Sequence, residues 1–323
     1  MGKAPLQIPI KPDSRGVRSV AFRALGTACA LQFRISDDKS ALQFLADALG
    51  WLGDFEAKFS RFRADSMISR INAAAGREWV EIDPEMEQML DMAEAMHQLT
   101  GGILDAAVLP LLKVWDWKMV HERLPADAEI SKARALSSWK DVQRKPGKIY
   151  LPREGMGLDF GGFGKEYAVD QVIKIARQHG INDALVDLGR DIFAIGGNGL
   201  HPFWHVGIQD GIKTEQCIGG LAVTNFAVCA SGDYARRFEH KGIRYGHILD
   251  HRTGWPVCHG LRAVTVLAPT CLLAGIYSTS VFVLGLKEGL QFADNAPGVE
   301  ACVQDAHGAH VTRGFRKFQV KAA

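Results

Sequence analysis

Hydrophobic side chains in the first half of the chain recur mainly every three or four residues, the spacing of one buried helix face. Helices are predicted there over residues 41–59, 66–72, 84–100 and 106–117. The third has the clearest start, because Asp83 can cap its first turn and Pro84 suits the first helical position. Residues 20–34 alternate instead between apolar and polar side chains, which predicts one strand.

After residue 157 the pattern changes to short runs typical of strands, separated by glycine turns. Strands are predicted over residues 183–188, 191–196, 203–209, 217–223, 226–230, 243–250 and 261–267, with a closing hairpin of 298–304 and 309–314. Helical runs at 165–179 and 270–285 interrupt them. Because strands mostly follow strands, the predicted fold class is α+β, with mixed or antiparallel sheets and helices packed on them.

The length of 323 residues favours one large domain or two closely packed ones. We expect a polar N-terminal arm over residues 1–21 and a single domain over 22–318. Residues 121–156 are the most polar stretch, and we interpret them as a small lobe or a boundary within that domain.

Composition narrows the class of protein further. Hydrophobic residues make up 47% and charged residues 23% of the chain, and the formal net charge is only +2. No basic stripe indicates nucleic-acid binding, and no apolar run approaches the roughly 20 residues that span a bilayer, so we expect neither nucleic acid nor a membrane anchor. Six scattered cysteines without zinc spacing, and a first segment without the apolar core of a signal peptide, favour a cytoplasmic protein; a periplasmic one is the alternative.

The glycine-rich run from Gly161 to Lys165 is the first candidate for chemistry. Glycines in front of a helix let the backbone approach an anion, which the helix N-terminus and a nearby lysine can hold. The run is not a Walker A loop, because Asp159 and Glu166 stand where that motif needs Gly and Ser or Thr. The residues alone leave two interpretations open, a phosphate site and a simple strand-to-helix turn.

Several further positions have both a chemical and a structural interpretation. His247 could act as a general base at a strand end, or it could only bond to backbone. Ser278 and Thr279 share a helix face and could be weak oxygen ligands, or they could pack against a neighbouring helix. Phe62 in a polar loop could stack on a ring or close the edge of the core. Ser231 is interpreted as a turn residue that bonds to backbone.

A series of blocks in a fixed order gives a signal that no single block has. They are Leu25–Thr27, Phe59–Ser66, Gly101–Asp105, Asp159–Asp170, Val186–Ile192, His247–Gly254 and Ala274–Thr279. In order and spacing they resemble the flavin transferases of the ApbE family, and the resemblance extends from about residue 22 to 315. That family moves FMN from FAD onto a protein hydroxyl, so the resemblance implies an ApbE-like fold and one catalytic domain over 22–318.

The resemblance also implies which residues bind ligands. FAD would lie bent in a pocket whose positions are Leu25, Phe62, Ile103, Leu104, Asp105, Gly161, Lys165, Tyr167, Arg190 and Leu249. The Phe62 ring would stack on the flavin or the adenine. The backbone carbonyl of Gly164, together with Ser278 and Thr279, would hold Mg²⁺ near the diphosphate.

The implied reaction is attack by a Thr or Ser hydroxyl of an acceptor flavoprotein on the FMN-side phosphate of FAD, with release of AMP. His247 matches the general base, while Lys165 and Mg²⁺ would neutralise the developing charge. Two alternatives stay open: an FAD diphosphatase, if water replaces the hydroxyl, and a non-catalytic FAD-binding paralogue.

Departures from the family pattern concentrate near the expected metal site. Gly275 replaces the metal-binding Asp of the family. Arg190 and Glu166 each replace a common Gly, and His251 replaces a Pro. We therefore expect a weakened magnesium site, with Arg190 partly taking over the role of the cation in FAD binding.

Overall fold

The computed structural model describes residues 11–116, 123–233 and 237–320. Its helices are α1 (Asp38–Phe59), α2 (Met67–Ala73), α3 (Pro84–Leu99), α4 (Leu109–Val114), α5 (Asp127–Leu136), α6 (Gly164–Gln178), α7 (Cys271–Leu284) and α8 (Leu286–Asp294). None of the helices in these ranges is both long enough and apolar enough to cross a membrane.

Strands dominate the second half of the chain, which confirms the α+β class. They are β1 (Val17–Ala24), β2 (Thr27–Arg34), β3 (Val80–Glu81), β4 (Gln143–Lys145), β5 (Lys148–Tyr150), β6 (Ala184–Leu188), β7 (Ile192–Ile195), β8 (Trp204–Gln209), β9 (Cys217–Val223), β10 (Phe226–Gly232), β11 (Arg237–His240), β12 (Ile243–Gly246), β13 (Leu249–Asp250), β14 (Trp255–Pro256), β15 (Ala263–Ala268), β16 (Glu300–Asp305), β17 (Gly308–Val311) and β18 (Gln319–Val320).

An eight-stranded sheet in the order β1-β2-β6-β7-β10-β15-β16-β17 forms the centre of the described fold. Every neighbouring pair in this sheet is antiparallel. All residues of β15 are buried, on both sides of the sheet. Both faces of the large sheet must therefore be covered by other layers.

Helices cover one face of the large sheet. α6 packs on β6 and β7, α7 packs on β10 and β15, and α1 packs on α6. Asp170 of α6 joins two of these helices, because its carboxylate accepts the backbone N–H groups of Cys271 at 2.7 Å and Leu272 at 2.9 Å in the first turn of α7. This contact fixes the start of α7 against α6.

A three-stranded sheet in the order β18-β9-β8 covers the opposite face. Trp204 and Val206 of β8 and Leu221 of β9 form a second core with Leu185 and Val228 of the large sheet. The described fold thus has three layers: helices, the large sheet and the small sheet.

The prediction of one strand over residues 20–34 is wrong. Ala24 pairs with Thr27, so Leu25 and Gly26 form a two-residue turn between β1 and β2. Both turn residues have positive φ, 52° and 71°, as a type I′ turn requires. The alternation of apolar and polar residues continues through the turn, and a leucine there gives no turn signal, so the pattern concealed it.

Two other predicted elements are shortened or divided. The helix over 106–117 is limited to Leu109–Val114 within the described residues, which exclude 117, because the Ala106 carbonyl accepts the Asp159 N–H at 2.8 Å in a preceding loop. The strand over 243–250 is divided, since β12 pairs with β11 while β13 pairs with β14. His247 lies at this break.

The predicted N-terminal arm over residues 1–21 overlaps the large sheet. β1 begins at Val17, where the chain already pairs with Arg34 of β2. Residues 1–10 lie outside the described part of the chain.

The polar segment over residues 121–156 contributes to two hydrophobic clusters that also contain residues from the rest of the chain. Residues 121 and 122 lie outside the described residues. Ile130 packs in one cluster with Trp115 and Leu249, and Ile149 belongs to the main core. We therefore propose that this segment is part of the same domain rather than a separate lobe.

Candidate active site

The glycine-rich run is a tight turn that leads directly into α6. Asp159 holds this turn, because its Oδ1 atom accepts the Gly161 N–H at 2.7 Å. A Cβ atom on Gly161 would lie 2.6 Å from the same oxygen, so a larger residue there would displace the Asp159 carboxylate that holds the turn. The first turn of α6 has no side-chain cap, which leaves this helix end open to an anion.

The same aspartate brings the Phe62 loop to this turn. Asp159 also forms an ion pair with Arg61, whose guanidinium lies 4.2 Å from the centroid of the Phe62 ring. The Phe62 side chain is 82% exposed, which disagrees with a role at the edge of the core. Stacking of this ring on a ligand stays a prediction.

Lys165, at the second position of α6, forms an ion pair with the buried Asp191. Burial disfavours the charged ammonium, but the negative charges of Glu166 and Asp191 outweigh this effect and raise the pKa of Lys165 above its ordinary value. Lys165 therefore carries a positive charge at neutral pH. Asp191 was not among the predicted site residues, although it lies in the Val186–Ile192 block of the sequence.

Glu166 lies in the space above Gly275, between α6 and α7. Its side chain is only 7% exposed, and its Oε2 atom has no hydrogen-bond partner. Burial raises the pKa of this carboxyl to about 7; the charge of Asp191 adds to the shift and that of Lys165 opposes it. The sequence marked Glu166 as unusual but not as a site residue.

Three hydroxyl groups meet where α7 packs on β10. Ser231 Oγ lies 2.9 Å from Ser278 Oγ and 3.1 Å from Thr279 Oγ1. Ser278 also donates to the Gly275 carbonyl at 3.1 Å. Ser231 lies in β10, paired with Val264, so its interpretation as a turn residue is wrong. Ser231 is the next-to-last residue of β10, and so few residues at a strand end do not give a recognisable strand pattern in the sequence.

The turn between β6 and β7 contains Arg190 in a left-handed conformation, with φ of 75°. Its backbone N–H donates to Asp187 Oδ1 at 2.7 Å, and its guanidinium donates to the side chain of Gln209 in the small sheet. A left-handed arginine costs about 1–2 kcal/mol. The Arg190 guanidinium thus contacts Gln209 in the small sheet. Glu166 and Gly275, by contrast, face each other in the helix layer.

The predicted residue Leu25 lies at the same edge as this turn. The Gly189 N–H donates to the Ala28 carbonyl at 3.0 Å, so the tip of the β1–β2 hairpin adjoins residues 187–191. The Leu25 N–H donates to Glu56 Oε2 of α1 at 3.0 Å. The structure thus brings the Leu25–Thr27 block next to the Val186–Ile192 block, although Ala28 and Gly189 are 161 positions apart in the sequence.

Several predicted pocket residues have side chains that are buried in the cores. They are Ile103, Leu104, Tyr167 and Leu249. The Tyr167 ring, for example, packs 5.8 Å from that of Phe55 in α1, measured between centroids. Their place in the wall of a pocket stays a prediction.

Asp105 holds a loop with both of its carboxylate oxygens. Oδ1 accepts the Ala107 N–H at 2.7 Å, and Oδ2 accepts the Trp139 N–H at 2.9 Å and lies 3.3 Å from His97 Nδ1. Burial lowers the pKa of His251, and the charge of Asp105 opposes this effect. The 103–107 loop therefore influences the segment that follows His247 electrostatically.

His247 lies between β12 and β13, where the chain changes its pairing partner. Three residues later, the Asp250 carbonyl accepts the Gly254 N–H at 2.8 Å, and the Asp250 carboxylate pairs with Arg252 at 2.9 Å. The strand β13 therefore ends at Asp250 and a turn follows, as expected if both His247 and Asp250 act in the site.

Among the described residues there is no group of three His, Cys, Asp or Glu side chains that could hold a metal ion. The oxygens that α6 and α7 could offer a cation include one acidic side chain, Glu166, together with the Gly164 carbonyl and the hydroxyls of Ser278 and Thr279. An all-oxygen set suits a hard cation such as Mg²⁺, which also keeps several waters. The unpaired Oε2 atom of Glu166 fits such a cation as well.

These features define an α+β protein in which a glycine turn and a charged lysine open one helix beside a second helix with hydroxyl groups. A family model described as the ApbE family matches residues 25–303, and the chain belongs to this family.

Relatives with a curated description agree with this family over most of the chain. The FAD:protein FMN transferase of Klebsiella pneumoniae (strain 342) is 32% identical over 230 residues, which cover 70% of this chain and 71% of that protein. The FAD:protein FMN transferase of Treponema pallidum (strain Nichols) is 29% identical over 302 residues, or 88% of this chain and 83% of that protein.

Solved structures show the same fold. The ApbE protein of Thermotoga maritima has a TM-score of 0.85 at 28% identity, covering 94% of this chain and 100% of that one. The apo form of the flavinyl transferase ApbE of Pseudomonas stutzeri has a TM-score of 0.82 at 25% identity, covering 95% and 98%.

Proposed function

We propose that this chain is an FAD:protein FMN transferase that moves FMN from FAD to a Thr or Ser hydroxyl of an acceptor flavoprotein and releases AMP. The observation that supports this most is Lys165, which its pairing with Asp191 keeps charged beside a glycine turn that a phosphate can approach. The family and the names of the relatives support the same reaction.

The transfer is a displacement at phosphorus. The acceptor oxygen forms a bond to the FMN-side phosphorus, the bond to the bridging oxygen breaks, and that oxygen leaves with AMP. His247 accepts the hydroxyl proton on an imidazole nitrogen, and Lys165 stabilises the charge on the phosphate oxygens. Mg²⁺, held by Gly164, Ser278 or Thr279, supplies further neutralisation of the diphosphate when it is bound.

The two ends of FAD would meet different parts of the site. The exposed Phe62 ring offers a face for stacking on the flavin or the adenine. Gly161 lets the backbone approach the diphosphate, while Leu25 and Arg190 border the pocket at the hairpin edge. Residues 103–105, Tyr167 and Leu249 would shape the wall of the pocket, because their side chains are anchored in the protein interior.

The test is release of AMP from FAD by the purified protein, with and without Mg²⁺, in the presence of a peptide that carries an acceptor Thr. We expect magnesium-dependent AMP together with a peptide heavier by the mass of FMN minus one water. Free FMN with an unmodified peptide would indicate a diphosphatase instead. Bound FAD without any AMP would indicate a flavin-binding protein, and either result would contradict the proposal.

We propose a cytoplasmic location and a cytoplasmic acceptor. Six scattered cysteines in a chain of this size, without paired or zinc spacing, support a reducing compartment. Fractionation of the cells that make the protein checks this, since recovery with periplasmic markers would contradict it.

A further inference from the structure

Glu166 and Gly275 share one space between α6 and α7. A Cβ atom on Gly275 would lie 2.4 Å from Glu166 Cγ and 2.9 Å from its Cδ and Oε1 atoms. An Asp at position 275, which the family pattern leads one to expect, could therefore not coexist with Glu166 as it stands. One carboxylate is absent from α7, and another enters the same volume from α6.

One oxygen of the Glu166 carboxylate lacks the partner that its burial requires. Its Oε2 atom is enclosed without a hydrogen bond, and the ammonium of the adjacent Lys165 pairs with Asp191. Buried carboxylates are stable when they are paired, hydrogen-bonded or bound to a cation. A cation bound beside Glu166 would favour the ionised form of this carboxyl, which burial alone disfavours.

We propose that Glu166 is the carboxylate ligand of a divalent-cation site, and that it replaces, from α6, the Asp that α7 lacks at Gly275. The other donors are the Gly164 carbonyl and the hydroxyl of Thr279, which lies one helical turn after Gly275 on the same face. The role of this cation at a diphosphate rests on the proposed transferase function. Its binding by Glu166 does not.

The sizes of the two residues agree with this exchange. Glu has one more methylene than Asp, which lets its carboxylate reach across from the neighbouring helix. Gly275 leaves room for that chain, because the Glu166 Cγ atom lies only 2.4 Å from where a Cβ atom on residue 275 would be. The magnesium site therefore takes its carboxylate from α6 instead of α7 and is not weakened. Arg190 is then not needed as a substitute for the cation.

The test is a titration with Mn²⁺ alone, in which electron paramagnetic resonance measures binding. A second measurement is the rise of the unfolding midpoint when Mg²⁺ is added. Glu166→Gln keeps the side-chain volume and removes the charge. Glu166→Gly removes the carboxylate, and Glu166→Gly with Gly275→Asp returns it from α7. Arg190→Ala tests the competing explanation, and Glu288→Gln, at an exposed position of α8, is the matched control.

We expect the wild type to bind one Mn²⁺ and both single Glu166 variants to bind it at least about tenfold more weakly. The double variant should recover most of the affinity, while Arg190→Ala and Glu288→Gln should match the wild type. Without metal, Glu166→Gln should not lower the unfolding midpoint, because it removes a buried carboxyl group with an unpaired oxygen.

Equal Mn²⁺ affinity of Glu166→Gln and the wild type, or no Mn²⁺ binding by the wild type, would overturn the inference. The outcome is separable from that of the proposed function. Metal binding that depends on Glu166, without any release of AMP, would reject the transferase and keep the site. Transfer of FMN with a metal affinity indifferent to Glu166 would do the reverse.

Discussion

Lys165 connects the electrostatics of the site with its proposed chemistry at the scale of a single residue. Its charge is maintained by Asp191 and Glu166, both of which are buried. The same charge lies at the start of α6, where the phosphate of FAD would bind. Removing it should therefore affect both stability and turnover, for separate reasons.

Lys165→Met keeps most of the side-chain length and removes the charge. We expect the rate of AMP release to fall about 100-fold or more, because a charge that stabilises the transition state is lost. The free energy of unfolding should fall by about 1–3 kcal/mol, because Asp191 is left buried without its partner. Urea titration and AMP release measure the two effects.

A second substitution separates these effects. Adding Asp191→Asn to Lys165→Met should restore much of the stability but not the release of AMP. Lys174→Met, at an exposed position of the same helix, serves as the control. A Lys165→Met variant that released AMP at the wild-type rate would contradict the role of Lys165.

Phe62 offers a test of ligand contact that stability does not confound, since its side chain is 82% exposed. Phe62→Ala should raise the KM for FAD roughly tenfold through the loss of one stacking contact, with an unchanged unfolding midpoint. Phe62→Trp should retain affinity. Leu200→Ala, at another exposed apolar residue, should change neither quantity. An unchanged KM in Phe62→Ala would place the FAD rings elsewhere.

At the scale of elements, the site depends on how α6 and α7 are held together. Asp170 of α6 accepts two backbone N–H groups at the start of α7. The same two helices carry Glu166 and Gly275, four residues before and four residues after that junction in their respective helices. A change in this connection should be transmitted to the metal site.

Asp170→Ala should lower the free energy of unfolding by about 2 kcal/mol, because two amides at the start of a buried helix lose their acceptor. Asp170→Asn keeps one acceptor oxygen and should lose about half as much. Urea denaturation measures both values, and the Mn²⁺ titration should show weaker binding in Asp170→Ala. Equal stability of Asp170→Ala and the wild type would show that α7 is fixed by its packing alone.

The sequence predicted individual elements well where one signal dominated. The strand over 217–223 agrees with β9 residue for residue, and the helix beginning after Asp83 begins at Pro84. Errors arose where a turn lacked Gly-Asn or Pro signals, as at Leu25, or where a continuous apolar pattern changed its pairing partner, as at His247. In both cases the turn is determined by pairing between strands, which local patterns do not contain.

At the scale of the whole molecule, the fold brings distant blocks to the helix side of one antiparallel sheet. The resemblance of the blocks predicted that Gly161, Lys165 and the 275–279 segment belong to one site. It did not predict that Glu166 occupies the space above Gly275, or that Ser231 reaches Thr279. Both contacts depend on the packing of α6, α7 and β10, which lie far apart in the sequence.

The contact between Glu166 and Gly275 has a consequence for how such proteins can exchange segments. A chimera that takes its first part from this chain and its last part from a relative with Asp at position 275 would place two carboxylates in a volume that accommodates one. The reciprocal chimera would contain none. Recombination with a breakpoint between residues 166 and 275 should therefore be selected against, so these two positions should be inherited as a unit.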